Sequence, residues 1–239
     1  MTVLPLLTLQ VKRAWVWADL HLRDDQPDEI LAFANQLQAV PAEVDSVIVL
    51  GDLFDAWIGP ETWQNPAFQP LLRSFRALAV QQTTLILVRG NRDVLLDPKD
   101  ATDLPAVVVD RILLLADSGQ KILLSHGDEY CLNDLPYQRL RRTLRRPWVR
   151  FLLRRLPFSL RNRIAARMRG HSQRAVGRKP LDILTLNLDA AQIALTEVGA
   201  ERAVIGHLHV ANKQNLAAGG VLQVLPAWAP SVPAWRFEN

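Results

Sequence analysis

Five short apolar runs, each breaking off into a block of Asp, Asn, His and Gly, constrain this chain more than any other feature. The runs are 14–18, Ser46–Leu50, Thr84–Val88, Lys121–Ser125 and Arg202–Ile205. They are rich in Val, Ile, Leu or Trp, and each reads as a β-strand. The blocks that follow them are Asp19-Leu20-His21, Gly51-Asp52, Gly90-Asn91-Arg92-Asp93, His126-Gly127-Asp128 and Gly206-His207-Leu208-His209. Helical patterns separate the early strands: 28–40, with Ile30, Leu31, Phe33, Ala34 and Leu37 on one face, and 67–81 after Pro66. Alternation of strand and helix implies an α/β fold with a largely parallel sheet, whose connections bring strand ends to one edge. Residues just past those ends then share one crevice, the place where open α/β sheets bind their ligands. Arg111–Leu115 and Lys121–Ser125 read as a hairpin joined through Asp117-Ser118-Gly119, and the tail after Gly219 adds one or two short strands.

A length of 239 residues suits one domain with an insertion, or two small domains, and hydrophobic residues at 49% with charged residues at 22% are ordinary for a globular protein. Cys131 is the sole cysteine, which excludes an intramolecular disulfide and a thiolate metal cluster and fits a reducing cytoplasm. The apolar start, residues 1–10, has no basic residue ahead of its Leu-rich run and no small-residue cleavage site after it, so it does not read as a signal peptide. No stretch approaches the roughly 20 apolar residues of a spanning helix.

The net charge of +4 conceals a split. Fifteen of the 28 Lys and Arg residues lie between Arg139 and Lys179, in a stretch, 135–181, without a single Asp or Glu. Among them sit Leu140, Leu144, Trp148, Phe151, Leu152, Leu153, Phe158, Leu160, Ile164 and Met168. Two solvated basic helices would account for the pattern. Charges of one sign repel, however, unless something anionic is near, and apolar residues between them suit an interface with acyl chains and headgroups.

The blocks supply what two-metal phosphoester hydrolysis needs. Four of the five histidines (His21, His126, His207 and His209) lie in them beside carboxylates or an amide. A phosphate ester repels hydroxide, and two divalent ions about 3.5–4 Å apart overcome this by holding the nucleophile and neutralising phosphoryl oxygens. Asp52, at a strand tip, suits a bridging carboxylate. Asp19 and His21, and likewise His207 and His209, are two residues apart, so in extended segments each pair points one way. A donor set of N and O atoms with several imidazoles favours manganese, iron, cobalt or zinc over magnesium or calcium. Asp93 and Asp128 fit either partners that orient a ligand or turn and cap aspartates.

In this order the five blocks resemble the calcineurin-like metallophosphoesterase superfamily. Gly90-Asn91-Arg92-Asp93 departs from the usual Gly-Asn-His and resembles one branch, the UDP-2,3-diacylglucosamine hydrolases of lipid A biosynthesis. Matches to that branch run through residues 18–22, 50–59 and 163–169, the last inside the basic stretch. The resemblance implies a β-sandwich flanked by helices, a single domain over 1–239 carrying a basic and apolar helical lid at 131–180. It implies two Mn²⁺ ions, one held by Asp19, His21, Asp52 and His209, the other by Asp52, Asn91, His126 and His207. It also implies hydrolysis of the diphosphate of UDP-2,3-diacylglucosamine to UMP and 2,3-diacylglucosamine 1-phosphate, by metal-bound hydroxide at the UMP-side phosphorus. Catalysis would rest on Asp52, Asn91, Arg92 and His126. Substrate would meet Asn91, Arg92, Asp134, Tyr137, Arg169, Ser172, Lys179 and His207, at the cytoplasmic face of the inner membrane and without a nucleic-acid partner.

Asp134 is also placed to cap a helix starting at Leu135. Val176 replaces an Asn common in the branch, and Val210-Ala211 an Arg-Pro. Two other functions are compatible with the chain: another dimetal phosphodiesterase, of nucleotide or nuclease type, and a non-catalytic binder of anionic lipid or nucleic acid. No oligomeric state follows from the sequence.

Overall fold

The computed structural model describes residues 6–101, 106–176 and 186–238, with side chains left aside at 101 and 169–176. In chain order its elements are β1 (Leu6–Gln10), β2 (Arg13–Trp17), α1 (Pro27–Gln38), β3 (Ser46–Leu50), α2 (Gln69–Val80), β4 (Thr84–Val88), β5 (Ala106–Val109), β6 (Arg111–Leu115), β7 (Lys121–Ser125), α3 (Leu135–Leu144), α4 (Pro147–Arg155), α5 (Phe158–Val176), α6 (Leu188–Val198), β8 (Arg202–Ile205), β9 (Asn212–Asn215), β10 (Val221–Val224) and β11 (Trp235–Glu238).

The strands form two sheets, ordered β11-β2-β3-β4-β5 and β1-β6-β7-β8-β10-β9. β2, β3, β4 and β5 are mutually parallel, as strand-helix alternation requires, and β11 closes that sheet antiparallel to β2. β6 and β7 are the expected antiparallel hairpin, and β8 joins β7 in parallel. The fold class is α/β, and the two facing sheets with helices outside them are the β-sandwich that the family resemblance implied; the largely parallel sheet read from the alternation is one of the two.

The two-residue period of the strands divides the core accordingly. Ile48 and Leu50 of β3, with Val16, Ile86 and Val88, meet Ile112, Leu114, Ile122, Leu124 and Val204 of the opposite sheet in one buried layer. Val47, Val49, Leu85 and Leu87 point the other way, onto Ile30, Phe33 and Leu37 of α1 and Leu71, Phe75 and Leu78 of α2. On the far side, Leu123, Ala203, Ile205 and Leu222 pack beneath Ala191, Ala194 and Leu195 of α6. β3 is buried at all five positions because both of its faces are covered.

α1 begins at Pro27, whose fixed φ suits a first helical position, with Asp28 and Glu29 complementing the dipole there. α2 begins two residues after the start expected from Ala67, because Asn65 Oδ1 accepts the Ala67 N–H at 3.0 Å and caps a short 3₁₀ turn, Pro66–Phe68.

Many of the fifteen clustered cations are answered within the chain. Arg141 Nε donates to Asp128 Oδ2 at 2.6 Å, and Arg145 Nη1 to Asp110 Oδ1 at 2.7 Å. Arg150 reaches the Leu96 carbonyl at 2.9 Å, Arg154 grips both oxygens of Asp100 at 2.6 Å, and Arg161 bonds the Ile58 carbonyl and Glu61. Asp110 in turn takes a bidentate pair from Arg89, at 2.9 and 2.8 Å, with both side chains nearly inaccessible. α3 is therefore fastened to the segments that follow β5 and β7, α4 to the loop after β4 and α5 to the loop after β3. Removing one partner of such a buried pair costs about 3–5 kcal/mol, since the other charge is stranded.

Candidate metal centre

The candidate ligands come from both sheets. Asp19 and His21 follow β2, Asp52 follows β3 and Asn91 follows β4, while His126 follows β7 and His207 and His209 follow β8. The sandwich thus delivers four ligand candidates from one sheet and three from the other to one end of the interface between them.

His21 Nε2 and His209 Nε2 face each other at 3.1 Å, and each lies 3.8 Å from a carboxylate oxygen, of Asp52 and Asp19 respectively. Nearby, His126 Nε2 lies 3.0 Å from Asn91 Oδ1, 3.2 Å from His207 Nδ1 and 3.7 Å from Asp52 Oδ1. Donor atoms of Asp19, His21 and His209, and again of Asp19, Asp52 and His126, lie within 4.8 Å of one another. The structure thus brings all seven predicted ligands together, in two neighbouring groups.

They do not converge by the extended alternation expected of them. Six non-glycine residues in the described chain have positive φ, and five are Asp19 (54°), His21 (49°), Asp52 (53°), His207 (70°) and His209 (63°). Left-handed backbone costs of order 1–3 kcal/mol per residue and persists only where neighbours enforce it. Here the His21 N–H donates to the Asp52 carbonyl at 2.8 Å, and the His207 N–H to Asp19 Oδ2 at 2.7 Å. The loops also approach too closely for side chains: a Cβ on Gly90 would fall 2.1 Å from Asp52 Oδ1.

The electrostatics are those of a cation site. Asp19 is 1% exposed, its Oδ1 has no hydrogen-bond donor, and burial, aided by Asp52, pushes its pKa up to about 7. Burial lowers His207 to about 4, with His126 adding to the effect, and lowers His21 and His209 as well. Those three imidazoles are held in the neutral form that ligates metals. His126 moves oppositely: burial works against it, but Asp52 and Asp19 raise it to about 9. Its Nδ1–H donates to the Leu50 carbonyl at 2.9 Å, which leaves Nε2 as the atom facing Asn91 and His207. Converging lone pairs, an orphaned carboxylate oxygen and imidazoles buried among carboxylates fit a divalent ion with N and O ligands.

Asp93 and Asp128 take different parts. Asp93, fully buried, accepts the Gly90 N–H at 2.6 Å and the Leu53 N–H at 3.0 Å, tying the loops of Asp52 and Asn91 together. That is the turn role. Asp128, also fully buried, bonds no imidazole among the described residues; it accepts the Tyr137 hydroxyl at 2.7 Å and the Arg141 bond already given. Arg141 and Arg145 behind the site were missed by motif reading. Their one sequence signal is the spacing of 137, 141 and 145 along a single face of α3.

Beside the ligands lies a cavity of about 770 Å³. Asn91 and Arg92 form part of its wall, and apolar side chains such as Trp57, Ile58, Leu140, Leu144, Ile164 and Met168 form most of the rest. Arg92 Nε is buried without a partner. Of the residues expected at substrate, Tyr137 lines this cavity, whereas Asp134 Oδ1 accepts the Tyr137 N–H at 3.2 Å and caps α3. The side chains of Arg169 and Ser172, and Lys179 altogether, lie outside the described residues.

Residues 12–211 match the family model described as calcineurin-like phosphoesterase. A UDP-2,3-diacylglucosamine hydrolase of Klebsiella pneumoniae subsp. pneumoniae is 32% identical over 93% of this chain and 90% of its own. One of Salmonella arizonae is 31% identical over the same shares.

Proposed function

The chain belongs to the calcineurin-like phosphoesterase family, and on that premise we propose that it hydrolyses the diphosphate of UDP-2,3-diacylglucosamine to UMP and 2,3-diacylglucosamine 1-phosphate. The observation that carries this reading is the junction of the two halves of the site: Asn91 belongs both to the cluster of ligand candidates and to the wall of a large apolar cavity, and Arg92, whose backbone N–H donates to Asp52 Oδ1, lines the same wall. A nucleotide alone has no use for such a cavity, while a diphosphate bearing two acyl chains needs both halves at that distance.

The assigned cofactor is a pair of manganese ions. Asp19, His21, Asp52 and His209 would hold one, and Asp52, Asn91, His126 and His207 the other, with Asp52 shared. When bound, the ions supply Lewis-acid neutralisation of phosphoryl charge and activation of the attacking water. The chain's own groups do the positioning. Asn91 and Arg92 orient the diphosphate at the cavity mouth, and the Arg92 guanidinium, always cationic and able to fork onto two oxygens, offsets charge developing on the phosphoryl group. Water attacks the UMP-side phosphorus in line, and the bond to the lipid 1-phosphate oxygen breaks.

Residues 131–180 would serve as the lid, with acyl chains in the cavity and Asp134, Tyr137, Arg169, Ser172, Lys179 and His207 meeting the sugar and phosphate. No helix among the described residues is long and apolar enough to cross a membrane. Exposed Trp148, Phe151, Leu152, Phe158 and Leu160, interleaved with arginines on α4 and α5, support peripheral attachment to the cytoplasmic face of the inner membrane. The test compares UDP-2,3-diacylglucosamine with UDP-N-acetylglucosamine, which shares the diphosphate and lacks the acyl chains. The reading predicts turnover of the first and loss of at least a hundredfold in kcat/KM on the second; equal turnover of both would overturn it in favour of a nucleotide-type phosphodiesterase.

A further inference from the structure

Asp128 has no place in the reaction just described, yet its buried carboxylate is bonded by several side chains of the helical insertion. It is completely inaccessible, and three groups of α3 converge on it: the Tyr137 hydroxyl at 2.7 Å, Arg141 Nε at 2.6 Å and, more distantly, Arg145 Nη2 at 3.5 Å. Tyr137 is therefore fixed at both ends, since its backbone N–H is held by Asp134. Its ring lies nearly parallel to that of His207, with centroids 6.1 Å apart and planes inclined by 24°. His207 also meets His126 edge-on, with centroids 4.9 Å apart. The His207 ring thus neighbours both a fixed tyrosine and another ligand candidate.

From this geometry we propose that Asp128 is a positioning residue that holds Tyr137 flat against His207 and so fixes the ring orientation of one metal ligand from the base of the helical insertion. Side chains that orient a ligand imidazole usually do so by accepting its second N–H. Here the carboxylate acts one step removed, through an aromatic face. A His207 ring free to rotate would spend part of its time with its ligating nitrogen turned away, and affinity at that centre would fall by the corresponding fraction. Only the centre built from Asn91, His126 and His207 should feel this. Among the described residues no hydrogen bond or ring contact joins Tyr137 to Asp19, His21 or His209.

The inference rests on the assignment of His207 as a ligand, so the experiment carries His207→Ala as a control. Manganese is titrated into metal-free protein and bound ion is followed by electron paramagnetic resonance, with folding monitored by circular dichroism. Asp128→Asn and Tyr137→Phe should each weaken one of the two binding steps, by roughly tenfold to a hundredfold for Asp128→Asn, within the range that outer-shell partners command. The other step should be unmoved. Tyr137→Phe leaves the Asp128–Arg141 pair in place and decides the matter if Asp128→Asn fails to fold. Two unchanged steps in Tyr137→Phe, or an equal weakening of both, overturn the proposal, because a general loosening of the fold would not select one centre. If His207→Ala also leaves both steps unchanged, the ligand assignment itself has failed; if it weakens one while the other variants do not, only the coupling through Asp128 has failed.

Discussion

Gly90→Ala adds a single methyl group at the closest approach between two ligand loops. That Cβ would sit 2.1 Å from Asp52 Oδ1 and 2.5 Å from the Asp52 nitrogen, whereas real Cβ contacts essentially never fall under 3.0 Å. The loops must part by about 1 Å in an interior packed without slack. Asp52 cannot rotate out of the way cheaply, because Oδ1 also accepts the Arg92 N–H at 2.8 Å and the Asp52 carbonyl accepts the His21 N–H at 2.8 Å. Gly90 does not have positive φ, so backbone strain from alanine adds nothing and the effect is steric. Overpacking of this kind costs roughly 1–3 kcal/mol of stability, within the reserve of about 5–15 kcal/mol of a typical domain. A displacement of about 1 Å in a catalytic group, by contrast, costs on the order of a hundredfold in rate. Thermal melts should therefore show a folded protein with a modestly lowered Tm, while kcat/KM at saturating manganese falls by about two orders of magnitude. Activity within threefold of wild type, with unchanged manganese dependence, would refute a bridging role for Asp52 at this spacing.

Arg89→Met leaves the nearly inaccessible Asp110 with Arg145 alone, and urea denaturation should show a loss of about 3 kcal/mol, the lower end of the range for a broken buried pair; a loss under about 1 kcal/mol would show that Arg145 compensates fully. Burial would raise the Asp110 carboxyl, but Arg89 and Arg145 hold it below the ordinary carboxylate range. Its contribution is therefore complete above the unfolded value near pH 4 and is lost as pH falls through the lower folded value. The Tm difference between wild type and Asp110→Asn should be constant from pH 7 to 5 and shrink towards pH 3; a difference that grows on acidification has the wrong sign.

The strands that carry ligands were legible because each is a short β-branched or Leu-rich run ending in Gly, Asp or His, and the hairpin because Asp117-Ser118-Gly119 is turn chemistry. β9 was not legible: Asn212-Lys213-Gln214-Asn215 is wholly polar, as an exposed edge strand can be, and is paired only through β10. The division into two sheets came from the family resemblance alone, since β3 and β7 look alike in sequence and differ in which partners they find. The seven ligand candidates could be named from their blocks, but the left-handed backbone at Asp19, His21, Asp52, His207 and His209 could not, because it is enforced by hydrogen bonds to residues far away in the chain. The same holds for the basic stretch. Its composition suggests repulsion awaiting an external anion, while Asp100, Asp110 and Asp128, all outside it, meet several of its arginines.

Hydrolysis of UDP-2,3-diacylglucosamine by the metal-free protein, with manganese added back in ¹⁸O-labelled water, tests the central claim most directly. The account predicts no turnover without the ion, restoration on its addition, the label in UMP, and no restoration for a folded Asp52→Ala variant. Label in the lipid phosphate, or manganese-restored turnover by Asp52→Ala near the wild-type rate, would contradict it.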